Sequence, residues 1–172
     1  MKKFILDYIC RLEGFKTACQ NIHWSSRNMS QHKLFDDISE SIRKHQDDIS
    51  EVAQGIDGNR LSFNTLNGIA YKIETPAKFI EDMLKCTMGF YSKLEKLGNE
   101  YVGMKSDVEA YISELQKYQY LLDFTVKEEL KRRLKNRLNE NVYSISKGGV
   151  EFNLTENQLK EMITKSIKNI LG

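Results

Sequence analysis

The sequence predicts an all-α protein: a bundle of four amphipathic helices whose middle pair is joined by a long crossover, followed by a C-terminal extension. Three observations predict it. Apolar residues recur at three- and four-residue steps through four long segments. The single proline of the chain falls at a helix start. The one long connection inside the first 125 residues lies between the second and third segments, as in bundles with a crossover. At 172 residues the chain holds one domain with a core and an appendage, divided as 1–125 and 126–172.

The first helix is expected from about Lys2 to Trp24, with Ile5, Tyr8, Ile9, Leu12, Phe15, Cys19 and Ile22 on one face. A polar turn, Ser25-Ser26-Arg27-Asn28, precedes a second helix from near Ser30 to Gly55 or Gly58, carrying Phe35, Ile38, Ile42, His45, Ile49 and Val52 inward. Leu66, Ile69 and Ile73 supply a short helix within the crossover. Thr75-Pro76 then gives an N-cap and a first-turn proline for the third helix, which runs to about Leu97. A capping box, Ser106-Asp-Val-Glu109, opens the fourth, with Val108, Tyr111, Ile112, Leu115, Tyr118, Leu121, Leu122 and Phe124. A basic helical stretch to about Asn141 follows, then an alternating segment (Tyr143, Ile145, Val150, Phe152, Leu154) broken at Lys147-Gly148-Gly149, and a last helix.

No stretch approaches the roughly 20 apolar residues that cross a bilayer, and no secretory leader is visible, so a cytoplasmic location without membrane contact is expected. Cys10, Cys19 and Cys86 are odd in number and sit among helical apolar positions, which reads as reduced, buried small hydrophobes rather than disulfides. Residues 1–125 carry 16 Lys and Arg against 18 Asp and Glu, and residues 126–172 carry 10 against 6, so the basic excess belongs to the tail.

Two of the three histidines bracket the turn between the first two helices: His23 and His32. Farther along the second helix come Asp36, Asp47 and Glu51. At about 100° per residue, His32, Asp36, Asp47 and Glu51 fall at about 0°, 40°, 60° and 100°, one face of one helix. His32 and Asp47 are nevertheless roughly 22 Å apart along that helix, so one chain cannot bring them to a single ion. Two copies of the helix packed antiparallel about a two-fold axis can, with His23 joining His32 from the first helix. The result is a pair of mixed imidazole and carboxylate sites suited to Fe(II) or Zn(II). Each residue also has a plainer reading: carboxylates on a helix face are usually solvated, His32 is an ordinary first-turn residue, His23 a satisfied core histidine, and Trp24 a packing residue.

The run HWSSRNMSQHKLFDDISESIRKHQDDISEVAQGIDG resembles the signature stretch of Dps proteins, small ferritins that form hollow twelve-subunit shells. In that family a His-Trp pair ends the first helix, a second His opens the next, and Asp-x-x-x-Glu lies near its Gly-rich end. ELQKYQYLLDF is similar to the family's last core helix, so the likeness covers roughly 125 residues. It implies a ferritin-like bundle and a homo-oligomer of two-fold dimers, up to a dodecamer. It also implies a ferroxidase that protects against oxidative stress by oxidising Fe(II) to Fe(III) with hydrogen peroxide or oxygen and storing it, with zinc as a substitute metal. The ligands it implies are His23 and His32 from one subunit with Asp47 and Glu51 from the other, Asp36 at a supplementary iron position, and Trp24 beside the centre. The chain departs from the family in a shorter turn between His23 and His32 and in lacking a lysine-rich N-terminal arm beyond Lys2 and Lys3. The Glu-x-x-His of ordinary ferritins is absent as well, since Gln20, Met29 and Ile42 precede the histidines by three.

In the tail, KEELKRRLKNR (127–137) has six basic residues in eleven positions, a pattern that binds DNA phosphates, although a solvated helix is the plainer reading. Leu159, Met162, Ile163, Ile167, Ile170 and Leu171 form an apolar stripe behind the capping box Thr155-x-x-Gln158. FNLTENQLKEMITKSIKNIL is similar to a short terminal segment that recurs on otherwise unrelated proteins of some bacteriophages and gut bacteria. That likeness implies a protein partner for residues 155–171, an addressing or assembly role, and a phage-encoded protein of the host cytoplasm or virion. Two rivals to the ferroxidase therefore stand at this point: a non-enzymatic structural or cargo module addressed by its last helix, and a DNA-compacting protein using the basic tail.

Overall fold

A computed structural model describes residues 1–61, 70–140, 142–147 and 150–171. Five helices and one hairpin follow in order: α1 (Lys3–Ser25), α2 (Met29–Asp57), α3 (Pro76–Leu94), α4 (Val102–Glu140), β1 (Val142–Lys147), β2 (Val150–Thr155) and α5 (Glu156–Leu171). Among the described residues the regular structure is helical apart from that hairpin. Among the described residues no helix is long and apolar enough to cross a membrane. Two compact units divide the chain, Met1–Thr125 and Val126–Gly172.

In the first unit α1 to α4 share one core. The apolar faces read from the 3.6-residue period in α1, α2 and α4 are buried: Ile5, Ile9 and Leu12 of α1, Phe35, Ile38 and Ile42 of α2, and Val108 and Leu115 of α4 are at most 1 % exposed, as are Phe79, Ile80 and Met83 of α3 and Met104 of α4. Helix α1 packs most extensively on α2 and next on α3. The helix ends follow local chemistry. Asn28 caps α2, its side chain accepting from Ser30 N–H at 2.9 Å and Gln31 N–H at 3.4 Å. Gly58 ends α2 at φ 68°, with its N–H donating to the Gln54 carbonyl at 2.9 Å. Thr75 caps α3 through a bond from Lys78 N–H at 3.1 Å, with Pro76 in the first turn.

Two expectations need correction, and a third falls largely outside the described residues. The fourth helix does not start at the Ser106 capping box. A 3-10 turn at Asn99–Tyr101 leads straight into α4 at Val102, and Ser106 is an exposed residue one turn inside. Burial decides this: Tyr101 at 7 % and Met104 at 0 % exposure are core residues, and covering them requires helix upstream of the box. Of the cysteines only Cys19 is buried, its thiol reaching the Phe35 carbonyl at 3.2 Å, while Cys10 and Cys86 are half-buried. Of the short crossover helix read from Leu66, Ile69 and Ile73, the first two positions lie outside the described residues, and Ile73 is not helical but packs with Tyr71 on the core margin.

In the second unit β1 and β2 pair antiparallel, from Val142 opposite Thr155 to Lys147 opposite Val150, and α5 contacts both strands. The cap of α5 is reciprocal. Thr155 N–H donates to Gln158 Oε1 at 2.9 Å, and Gln158 N–H donates to Thr155 Oγ1 at 3.4 Å. Met162 and Ile163 of its stripe are about half exposed.

Candidate metal centre

His23 in the last turn of α1 and His32 in the first turn of α2 are brought together by the short turn between the helices. Ser26 Oγ donates to the Ile22 carbonyl at 2.7 Å, and Asn28 caps the helix that follows, so little slack remains. The rings lie 3.7 Å apart between centroids and are tilted by 33°. Each Nδ1 bonds the other residue's backbone carbonyl: His23 Nδ1 to His32 O at 3.0 Å and His32 Nδ1 to His23 O at 2.9 Å. A carbonyl oxygen only accepts, so both Nδ1 atoms must carry the proton. In the neutral rings both Nε2 atoms then hold lone pairs. This backbone lock on Nδ1 is the device by which a metal-binding imidazole is set to its Nε2 tautomer and fixed in orientation.

The carboxylates are elsewhere in the chain. Asp36, Asp47 and Glu51 lie on the exposed face of α2, and the helix is unbroken from Met29 to Asp57, so their separation from His32 follows the helical rise. Among the described residues, no three His, Cys, Asp or Glu side chains converge on one point within a chain. The structure thus joins His23 to His32, with Asp36 one helical turn along from His32, and leaves Asp47 and Glu51 apart from them. Trp24, adjacent in sequence to His23, is not a packing residue: it is 68 % exposed, and Met29 at the start of α2 is 77 % exposed.

Two features were missed from the sequence. One is a cleft of about 430 Å³ at the C-terminal end of α2, lined by Glu51, Gln54, Gly55, Gly58, Asn59 and Arg60. Its only sequence signal was the pair of glycines. The other is a buried polar cluster around His45, a position that the period placed in the core. Tyr8 Oη lies 3.0 Å from His45 Nε2 and donates to Thr87 Oγ1 at 3.1 Å, while Thr87 donates to the Met83 carbonyl at 2.9 Å. Because the Tyr8 proton is engaged by Thr87, His45 Nε2–H is the donor to Tyr8. The His45 ring stacks on Tyr111 at 3.8 Å, and burial pushes its pKa down to about 3, so it is a neutral core residue.

Compared with known proteins, the chain matches no family model, no curated protein and no solved structure.

Proposed function

We propose that the chain is a Dps-like ferroxidase with a ferritin-like bundle, binding Fe(II) between two copies and oxidising it for storage or detoxification. The observation that carries this reading is the reciprocal backbone lock on His23 and His32, which leaves two adjacent Nε2 lone pairs with no third His, Cys, Asp or Glu converging on them among the described residues. Asp47 and Glu51 of a second copy, reached by antiparallel pairing of the two α2 helices, complete a set of two imidazoles and two carboxylates. That set suits Fe(II), and its two negative charges also favour the Fe(III) product. Asp36 offers a weaker second position, and Trp24 an oxidisable ring nearby. With hydrogen peroxide as oxidant, two Fe(II) each give one electron, the O–O bond breaks, and two protons are taken up to release two waters. The Nδ1–H bonds to the backbone carbonyls keep both rings in the tautomer whose Nε2 lone pair is open to an ion. Zinc would compete for the same donors.

The test uses subunit exchange. A His23→Ala/His32→Ala variant and an Asp47→Ala/Glu51→Ala variant should each lose Fe(II) oxidation, and the exchanged mixture should regain part of it, since each mixed dimer contains one complete site and one empty one. A mixture shown by mass to have exchanged but still inactive would remove the two-chain site.

A further inference from the structure

A second cluster of polar groups lies between α2 and α4. Two clefts of about 240 and 340 Å³ share Ser41, Lys44 and Glu114, and so form one trough along the two helices. Its buried floor is the stack of His45 on Tyr111, 3.8 Å between ring centroids, with the small Ala110 beside it. Two buried side-chain hydroxyls have no hydrogen-bond partner among the described residues, Ser41 Oγ and Tyr111 Oη, and both residues line the 240 Å³ cleft. Tyr111 is only 3 % exposed. A hydroxyl held that deep without a bond costs free energy, which the polar atom of a ligand in the cleft would offset.

The rim decides the charge of that ligand. Asp37, Glu40, Asp48, Asp107 and Glu114 line the trough against Arg43 and Lys44, and with His45 neutral the balance is negative. None of these charged residues makes an ion pair among the described residues. Tyr118 Oη donates to Glu114 at 2.8 Å, which fixes that carboxylate and leaves it further lone pairs. A bare metal ion is a poor fit, because among the described residues no three His, Cys, Asp or Glu side chains converge on one point. The carboxylates are strung out instead. From Asp37 to Asp48 α2 rises roughly 16 Å at about 1.5 Å per residue, with Asp107 of α4 at the Asp48 end and Glu114 reaching the Asp37 end. A linear cation with separated ammonium groups matches that spacing, and its N–H groups donate to carboxylates and hydroxyls alike. The trough also lies off the face assigned to the second copy. With His32 at 0°, Ser41, His45 and Asp48 fall at about 180°, 220° and 160°, against about 60° and 100° for Asp47 and Glu51.

The geometry points to a binding site for a linear aliphatic oligoamine in the trough between α2 and α4, with ammonium groups on Asp48, Asp107 and Glu114 and methylenes over the His45–Tyr111 stack. The site uses neither iron nor a second copy, so it stands apart from the ferroxidase reading. The aromatic floor attracts a cation as well as its carbon chain. A cleft lined by one sign of charge concentrates counter-ions of the other. Lys44, which lines both clefts, opposes the ligand and sets its affinity below what the carboxylates alone would give.

The probe is spermidine, titrated calorimetrically into the whole chain at low salt. Binding should saturate at one ligand per chain and weaken as salt is added. Asp48→Asn combined with Glu114→Gln should weaken it at least about ten-fold, while Asp123→Asn, at an exposed carboxylate outside the trough, should leave it unchanged. Tyr111→Phe should weaken binding several-fold without lowering the thermal midpoint of the free protein, because the hydroxyl it removes makes no bond there. Lys44→Gln should tighten binding several-fold, a gain that misfolding does not produce. Absence of saturable binding at millimolar spermidine overturns the inference. An equal loss in Asp123→Asn overturns it by showing diffuse screening, and so does Lys44→Gln binding no tighter than the parent. Displacement of spermidine by magnesium chloride at equal concentration and constant ionic strength overturns it too, since the trough would then take any cation.

Discussion

Acid should destabilise this protein through His45 well before its carboxylates protonate. The buried imidazole has its pKa held down from an ordinary 6.5 to about 3, and the cause is desolvation. A base whose folded pKa is depressed gives stability that is fully present above the unfolded pKa and is lost as pH falls towards the folded one. Between those values the unfolded chain takes up a proton that the folded chain refuses, so stability falls towards about 1.4 kcal/mol per pH unit. Integrated from pH 7.5 to pH 5, above the ordinary carboxylate range, the loss is about 2 kcal/mol from this one residue. The perturbation is His45→Gln, which keeps an N–H for Tyr8 but no longer titrates. The assay is urea unfolding at fixed protein concentration, with the free energy extrapolated to water at each pH. The variant starts less stable, having lost the stack on Tyr111, so the quantity compared is the change with pH and not the level. If parent and variant lose the same amount between pH 7.5 and pH 5, His45 does not refuse the proton and the burial reasoning is wrong.

Two glycines three residues apart should respond in opposite directions. Gly55→Ala replaces a helical glycine where a Cβ meets nothing, and should stabilise by about 0.5–1 kcal/mol; Gly58→Ala forces a Cβ onto φ 68° and should destabilise by about 1 kcal/mol. Urea midpoints moving the same way would refute the assignment of Gly58 as the left-handed cap. Removing residues 150–172 should leave Fe(II) oxidation intact and shift the thermal midpoint of the first unit little, since Leu122 is the last buried core residue among the described ones. A large drop in midpoint with loss of the oligomer would show that α5 docks on its own assembly and would end the idea of an addressing segment.

Much of the architecture was legible from local rules. The helical period identifies which side chains are buried because a 100° step repeats whatever the neighbours are, and Ile5, Phe35, Ile38 and Leu115 all occupy the faces it marks. Caps are equally local: Asn28, Thr75 with Pro76, Gly58 and Thr155 with Gln158 each complete backbone bonds within four residues. Where two local signals competed, packing chose. Ser106 and Glu109 have the residues of a helix start, yet the burial of Tyr101 and Met104 extends α4 past them.

The candidate centre divides along the same line. Residue types and spacing place His32, Asp36, Asp47 and Glu51 on one face of α2, since angular position is a property of the helix itself. Three facts needed the tertiary structure. The histidine lock depends on how closely α1 and α2 approach across their turn, which sets Nδ1 of each ring against the other's carbonyl. The exposure of Trp24, 68 % among the described residues, is a matter of surface that composition does not encode. The cleft at the end of α2 exists because Gly55 and Gly58 leave space beside Glu51 and Arg60. Periodicity is written in the chain one residue after another, whereas contact between residues far apart in it is decided only when the helices pack.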